Sequence, residues 1–436
     1  MKRITFIGAG SYGFTYKLAV DILHQEPLLG CELVFMDIDG DRLANLKTLL
    51  ECHCQRIGYN GKAQYTTDMA EALKGADIII NLVKIGMESA TAKDMDIPKK
   101  YGLFQTVGDT CGVAGISRGL RTMIFNRRML KTAEAVASPH TVVISYTNPQ
   151  SMLVTDASAA SGIPFIGLCH SVQGMEGKIR RMYGDVAVEI AGINHMAWVT
   201  KIAKDGRDIY PQFREDVYRQ HEEGARPDEV AFNFGSTRVD MMRRVGYMVT
   251  ESSEHFAEYV PYYLRTEALI KRYDIPIDKY QWYNQHKEGE YRELLRLAAE
   301  NRLPESAQSV EYCAGILSAM VTNVPYKIYA NVMNTGLITN LPSFACVETA
   351  CFVDRQGVHP CVFGDLPQQL VPMCSMEINV HKLASDAVAY NDRDYVYWAM
   401  MADPIAHSVL DLDQMRNLTD ELLEAQKEYL DGYFMM

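Results

Sequence analysis

The sequence predicts an α/β protein: a doubly wound parallel sheet at the N-terminal end, followed by an α+β region. Three observations predict it. Short apolar runs alternate with helical patterns as far as about residue 185, a glycine-rich turn separates the first run from the first helix, and the regular alternation then stops. Strand–helix alternation of this kind gives a parallel sheet with both faces covered.

The first run covers residues 4–7 and leads into Gly8-Ala9-Gly10-Ser11-Tyr12-Gly13, ahead of a helical pattern over 14–24. Glycines at these spacings permit a tight turn and a close backbone approach to a pyrophosphate, which then sits on a helix N-terminus. This is the Rossmann-type arrangement. Gly8, Gly10, Ser11 and Gly13 are therefore candidate cofactor contacts. A second strand, 32–37, ends in Asp37, placed to accept hydrogen bonds from the adenosine ribose hydroxyls and so to favour NAD over NADP; Asp39 is the nearby alternative. A helix over 41–58, a strand at 64–66, a helix over 69–74 and a buried strand over 76–83 continue the alternation. Asn81 is polar near the end of that last strand, where open sheets bind their ligands, and is read as a further cofactor contact.

The stretch Gly108-Asp109-Thr110-Cys111-Gly112-Val113-Ala114-Gly115 reads as a loop covering substrate or cofactor, with Arg118 to Thr122 on the helix behind it. A strand over 141–146 ends in Thr147-Asn148-Pro149, whose amide suits a sugar hydroxyl or a nicotinamide. A further strand, 164–168, delivers Cys169 and His170. Beyond it, 186–202 reads as strand, turn and strand carrying His195, and 213–250 as charged and helical. The polar and aromatic block 251–265 reads mostly as core packing. A helix over 307–322, strands over 326–337 and 345–353, and helices over 374–432 complete the chain. The boundaries that follow are a dinucleotide-binding domain over 1–185 and an α+β substrate- and metal-binding domain over 186–436.

Composition bounds the function. The chain has 436 residues, 48% hydrophobic and 22% charged, with 43 basic against 55 acidic residues and a formal charge of −12. An acidic balance argues against nucleic acid or an anionic membrane as partner, since either wants a basic face. Ten scattered cysteines without a paired framework, no signal-peptide pattern and no long apolar run point to a reducing, cytoplasmic setting. Cys169 and His195, offered from two segments at the edge of a cofactor domain, can hold one divalent metal beside a nicotinamide; their spacing does not name the ion.

The blocks Gly8-Ala9-Gly10-Ser11, Thr147-Asn148-Pro149, Gly167-Leu168-Cys169-His170-Ser171-Val172-Gln173-Gly174, Ala191-Gly192-Ile193-Asn194-His195-Met196, Val249-Thr250-Glu251-Ser252-Ser253-Glu254-His255-Phe256-Ala257-Glu258-Tyr259 and Asn340-Leu341-Pro342 come in an order that resembles glycoside hydrolase family 4, in its melibiase-type α-galactosidase branch. The resemblance runs from the first strand to the C-terminal helices and implies a lactate/malate dehydrogenase-like architecture. It implies an α-galactosidase acting on melibiose-like α-galactosides by NAD-dependent transient oxidation at C3, metal-assisted deprotonation at C2 and elimination, outside the usual two-carboxylate scheme. It further implies NAD+ and Mn²⁺ (or another divalent metal) as cofactors, Cys169 and His195 as metal ligands, Tyr259 as the C2 base and His170 as the acid assisting the leaving group. Asn148, Asp109 and Arg121 become substrate contacts, and the assembly a homodimer or homotetramer. The same chemistry on an α-galacturonide or α-glucoside is the nearest alternative. A 2-hydroxy acid dehydrogenase, which would not depend on a metal held by Cys169 and His195, and a catalytically silent NAD-binding regulator are the others.

Overall fold

A computed structural model describes residues 2–59, 61–223, 232–304 and 308–435. Its strands are β1 (Arg3–Ile7), β2 (Glu32–Met36), β3 (Ala63–Thr66), β4 (Ile78–Asn81), β5 (Val142–Ser145), β6 (Phe165–Gly167), β7 (Ala187–Ile193), β8 (Met196–Lys204), β9 (Arg207–Asp208), β10 (Met248–Val249), β11 (Tyr326–Met333), β12 (Cys346–Asp354) and β13 (Gly357–Pro360). The first six pair in parallel in the order β3-β2-β1-β4-β5-β6, the doubly wound arrangement expected. The central strand β4 is buried along its length and apolar up to Asn81, as a strand covered on both faces must be, whereas β3 at the margin is half exposed.

From β6 the same sheet continues antiparallel through β11, β12, β7, β8 and β10. The joins are narrow: Asn331 opposite Gly167 links β11 to β6, and Glu348 opposite Gly192 links β12 to β7. His195 stands in the two-residue turn between β7 and β8 with φ of 63°, the left-handed region that few residues other than glycine adopt. Turn geometry, not strand register, therefore aims its ring.

Three local expectations change. The segment 112–115, read as loop, already belongs to a 25-residue helix, Gly112–Val136, so Arg118 and Arg121 lie inside its second and third turns. A helix over Met87–Lys99, unforeseen in the sequence, packs against it. Strand β11 stops at Met333 because the Asn334 side chain closes a turn, donating to the carbonyls of Ile338 and Leu341 and accepting from the Ile338 N–H. The charged stretch 213–250 contains helices Tyr210–Glu222 and Ser236–Val245, with 224–231 outside the described residues. The next helix spans Cys313–Thr322, and residue 307 likewise lies outside. Among the described residues no helix is long and apolar enough to cross a membrane.

Candidate active site

The C-terminal ends of β1, β4, β5 and β6 share one edge, where open sheets bind ligands. At β1 the turn is built from backbone. Gly8, with φ of 81°, passes so close to β4 that a Cβ there would lie 2.8 Å from the Val83 backbone. A Cβ on Gly10 would lie 2.7 Å from Arg42 Cβ and 2.9 Å from Asp37 Oδ2. The Gly10 N–H donates to Asp37 Oδ2 at 2.8 Å, and Ser11 Oγ accepts from the Thr15 N–H at 2.9 Å. Gly13, with φ of 83°, opens helix Phe14–Leu23, whose first turn holds no acidic residue and whose cap is not a side chain. These features fit an anion at a helix N-terminus. Asp39, the alternative to Asp37, accepts from the Asp41 and Arg42 N–H groups as cap of helix Gly40–Ile57.

Asn81 does not face this space. Its side chain is fully enclosed, donating to Asn126 Oδ1 (3.2 Å) and Ser145 Oγ (3.4 Å) and accepting from the Val83 N–H (3.3 Å), so it ties the ends of β4 and β5 together. Arg121 is corrected in the same way. It is 1% exposed and its guanidinium grips both carboxylate oxygens of Asp94 on the unforeseen helix, so the helix interior and not substrate satisfies it. Arg118, one turn earlier, does reach the edge: it donates to the Asn148 carbonyl at 3.1 Å and lies 3.9 Å from Asp109. Asn148 Nδ2 donates to Asp109 Oδ2 at 3.1 Å. Burial works to raise the Asp109 carboxyl, but the nearby Arg118 and His255 outweigh it and hold it below the ordinary value.

At the end of β6, Cys169 Sγ lies 3.1 Å from His195 Nε2, and the same nitrogen lies 3.5 Å from Glu251 Oε2. Sulfur, nitrogen and carboxylate oxygen converge within 4.8 Å of one another. Burial pushes the Cys169 thiol up to about 11, with the Glu251 carboxylate adding to the rise. Glu251 is held at about 2, because the two imidazoles and the Ser252 N–H outweigh burial. One thiol, one imidazole and one ionised carboxylate fit a borderline divalent cation, and binding would require the thiol to lose its proton.

The other face of His195 is packed. His255 Nε2 lies 2.9 Å from His195 Nδ1, and Tyr259 Oη lies 3.2 Å from that same Nδ1. Tyr259 is fully buried, which drives its phenol well above the usual value. His170 is at the rim, its side chain 72% exposed and its Nδ1 4.0 Å from Glu311. Behind the turn, Glu348 is buried with neither carboxylate oxygen hydrogen-bonded, and Asn194 is equally unpartnered. Burial, followed by the neighbouring Cys169, raises the Glu348 carboxyl well above its ordinary value.

Sequence reasoning missed Glu251, His255, Glu258, Arg118 and Glu348. The first three carried a signal: with Tyr259 they stand at i, i+4, i+7 and i+8, the spacing of one helical face. Arg118 and Glu348 carried none, because only the third dimension brings them in.

The family 4 glycosyl hydrolase model matches residues 3–185, and the C-terminal domain model of the same family matches residues 190–406. An α-galactosidase of Bacillus subtilis (strain 168) is 36% identical over 99% of this chain and all of its own length. One of Rhizobium meliloti (strain 1021) is 31% identical over 99% of this chain and 89% of its own. An α-galacturonidase of Lachnoclostridium phytofermentans is 28% identical over 98% and 96%. Among solved structures, a 6-phospho-β-glucosidase from Thermotoga maritima superposes with a TM-score of 0.81 over 98% of this chain and 99% of its own, at 21% identity, a likeness of fold. Two family models that together run nearly end to end, and relatives above 30% identity over whole chains, leave one conclusion: the chain belongs to the family 4 glycosyl hydrolases.

Proposed function

We propose that this protein is an α-galactosidase that hydrolyses melibiose-like α-galactosides with bound NAD+ and a divalent metal ion, Mn²⁺ by preference. The observation that carries the reading is the meeting of Cys169, His195 and Glu251 at the sheet edge that also presents the Gly8–Gly13 turn. The α-galactosidase relatives support the sugar. The Thermotoga enzyme, solved with manganese, NAD+ and glucose-6-phosphate, supports the cofactor pair.

When bound, the dinucleotide accepts and returns a hydride at C3 of the sugar while the metal polarises the ketone as a Lewis acid. The remaining work falls to this chain. Cys169, His195 and Glu251 hold the ion. Gly8, Gly10, Ser11 and Gly13 seat the pyrophosphate, and Asp37 orients the ribose. Asn148, steadied by Asp109 and by Arg118 on its carbonyl, offers an amide to the sugar hydroxyls. His170, exposed beside the ligand cysteine, delivers the proton to the departing oxygen. Tyr259 takes the C2 proton; a cation held by Cys169, His195 and Glu251 would favour the phenolate and so oppose the upward push of burial. The reduced cysteines suit the cytoplasm as compartment, and the assembly is a homodimer or homotetramer, readable by light scattering.

The test is nitrophenol release from nitrophenyl α-galactoside with NAD+, Mn²⁺ and a thiol reductant supplied singly and together. Turnover that needs all three is expected. Turnover of the α-galacturonide or α-glucoside alone would move the sugar and keep the chemistry. NADH formed on hydroxy acids, with no glycoside cleaved, would overturn the reading.

A further inference from the structure

Behind the candidate metal centre lies an ordered run of hydrogen bonds that the proposed chemistry leaves unused. Glu258 is fully buried. Its Oε1 accepts three backbone N–H groups, from Thr106 (2.6 Å), Val107 (3.0 Å) and Gly108 (3.0 Å), and its Oε2 lies 2.6 Å from His255 Nδ1. His255 Nε2 then meets His195 Nδ1 at 2.9 Å. Cys111 lies beside this pair and completes a second group of three possible donors. Its partners there are already engaged with each other and with the backbone.

Polarity along the run is set at one end. A carboxylate that receives three N–H groups acts only as acceptor, so the hydrogen between it and His255 sits on Nδ1. The Glu258 carboxylate draws His255 toward its protonated form; when His255 is neutral its Nε2 presents a lone pair, and His195 then carries its own hydrogen on Nδ1 to satisfy it. The remaining lone pair of His195 is on Nε2, the nitrogen that faces Cys169 and Glu251. We infer that Glu258 and His255 are positioning residues that impose the ligating tautomer of His195, and that through Glu258 they tie this orientation to the 106–108 backbone leading into Asp109. Outer carboxylate and histidine partners of this kind fix ring orientation and raise ligand basicity, and their loss costs about 10–100-fold in metal affinity. The left-handed backbone at His195 makes such a lock useful, since a tight turn alone leaves the ring free to flip.

The inference rests on the proposed metal site, and metal affinity separates the two. Mn²⁺ binding to the full-length, NAD-loaded protein would be followed by the loss of the free-ion paramagnetic resonance signal. His255→Leu, which offers no acceptor to His195, should weaken Mn²⁺ binding about 10–100-fold. His255→Gln, whose amide can accept from His195 and donate to Glu258, should recover affinity to within a few-fold of the parent. NAD affinity and the melting profile of both variants report whether the fold is kept, and His255→Gln supplies the comparison if His255→Leu fails to fold. Equal Mn²⁺ affinity in the parent and His255→Leu would overturn this inference and leave the metal site standing, as would a folded His255→Gln with no recovery. A parent protein that binds no Mn²⁺ would overturn both.

Discussion

The two parts of the chain, before and after about residue 185, hold most of their buried acids in different ways. Among residues 1–185 three of the four buried carboxylates face an arginine, Asp94 with Arg121, Asp156 with Arg127 and Asp109 with Arg118, and the fourth, Asp21, accepts from the Ser309 N–H. Beyond residue 185 Glu258 is fully engaged, whereas Glu348 on β12 and Glu377 on helix Val371–Tyr390 are fully buried with neither carboxylate oxygen hydrogen-bonded, and Asp403 keeps one oxygen unpartnered. Burial raises Glu377 well above its ordinary value, and the neighbouring Asp403 and Glu258 add to the rise. An arginine partner opposes the cost of burying a charge, whereas at Glu348, Glu377 and Asp403 burial raises the carboxyl above its ordinary value. The two proposed ligand sites differ as well. The turn at Gly8–Gly13 works through backbone and needs the absence of side chains, whereas the centre at Cys169, His195 and Glu251 works through side chains alone.

The contrast breaks most severely where a pair is split. Arg121→Met leaves Asp94 buried and uncompensated, and should destabilise the fold by about 3–5 kcal/mol in chemical denaturation. Glu377→Gln, beyond residue 185, should change stability by less than about 1 kcal/mol, since it removes no hydrogen bond and a carboxyl whose ionisation burial already opposes. Equal costs would erase the distinction between the halves. A folded Arg121→Met protein with unchanged stability and a raised KM would instead restore the sequence-based expectation of a substrate contact.

Next in size is the loss of a metal ligand. Cys169→Ser should lower kcat/KM about 10²–10³-fold, several kcal/mol of Lewis-acid stabilisation, with dinucleotide affinity unchanged. The thiol is protonated below about 11, so the parent must release a proton on taking up the ion. Apparent Mn²⁺ affinity should therefore rise about tenfold per pH unit through neutrality, readable by titration calorimetry in buffers of different ionisation enthalpy. Gly10→Ala should do the reverse. The new methyl overlaps Arg42 Cβ and Asp37 Oδ2, a strain of about 1–3 kcal/mol, which weakens NAD binding while leaving Mn²⁺ affinity intact.

How far the sequence carried this picture follows from the same contrast. The doubly wound half was legible down to strand ends because its turn is written locally, in Gly8 and Gly10 and in the acid Asp37 just after a strand. Cys169 and His195 could be offered as a pair from their place at the edge of the cofactor half, and the resemblance to known blocks singled that pair out, since 26 residues and a left-handed turn separate them. Asn81, near a strand end, and Arg121, on a helix, read the same in sequence whether they face a ligand or another buried side chain. Their partners, Asp94 and Asn126, lie on helices whose packing no local pattern specifies. His255 and Glu258 sat in a block whose aromatic density spoke for core packing. That was right for Phe256 and Tyr263, both buried, and it hid the polar face between them.

The smallest effect is also the most direct probe of the unpaired half. Asp403 caps helix Pro404–Val409, its Oδ1 accepting from the Ile405 N–H (3.2 Å) and the Ala406 N–H (2.7 Å), while burial raises its carboxyl from 3.8 to about 6, with Glu258 also opposing ionisation. Below pH 3.8 the group is protonated whether the chain is folded or not, so it costs nothing. Between 3.8 and about 6 the unfolded chain ionises first and stability falls; above about 6 the cost is complete, near 3 kcal/mol at most for a shift of this size. Asp403→Asn keeps the capping oxygen and removes the charge, but leaves an amide to be satisfied next to Glu258. A net gain of about 1 kcal/mol is expected above pH 6 and none below pH 4, measured as the difference in unfolding midpoint between the two proteins across that range. A gain that is constant with pH would mean that Asp403 titrates as an exposed acid, and the two halves would then treat their carboxylates alike at this position. A loss at every pH would mean that the amide cannot be satisfied there, and that the unpartnered oxygen of Asp403 is already serving as an acceptor.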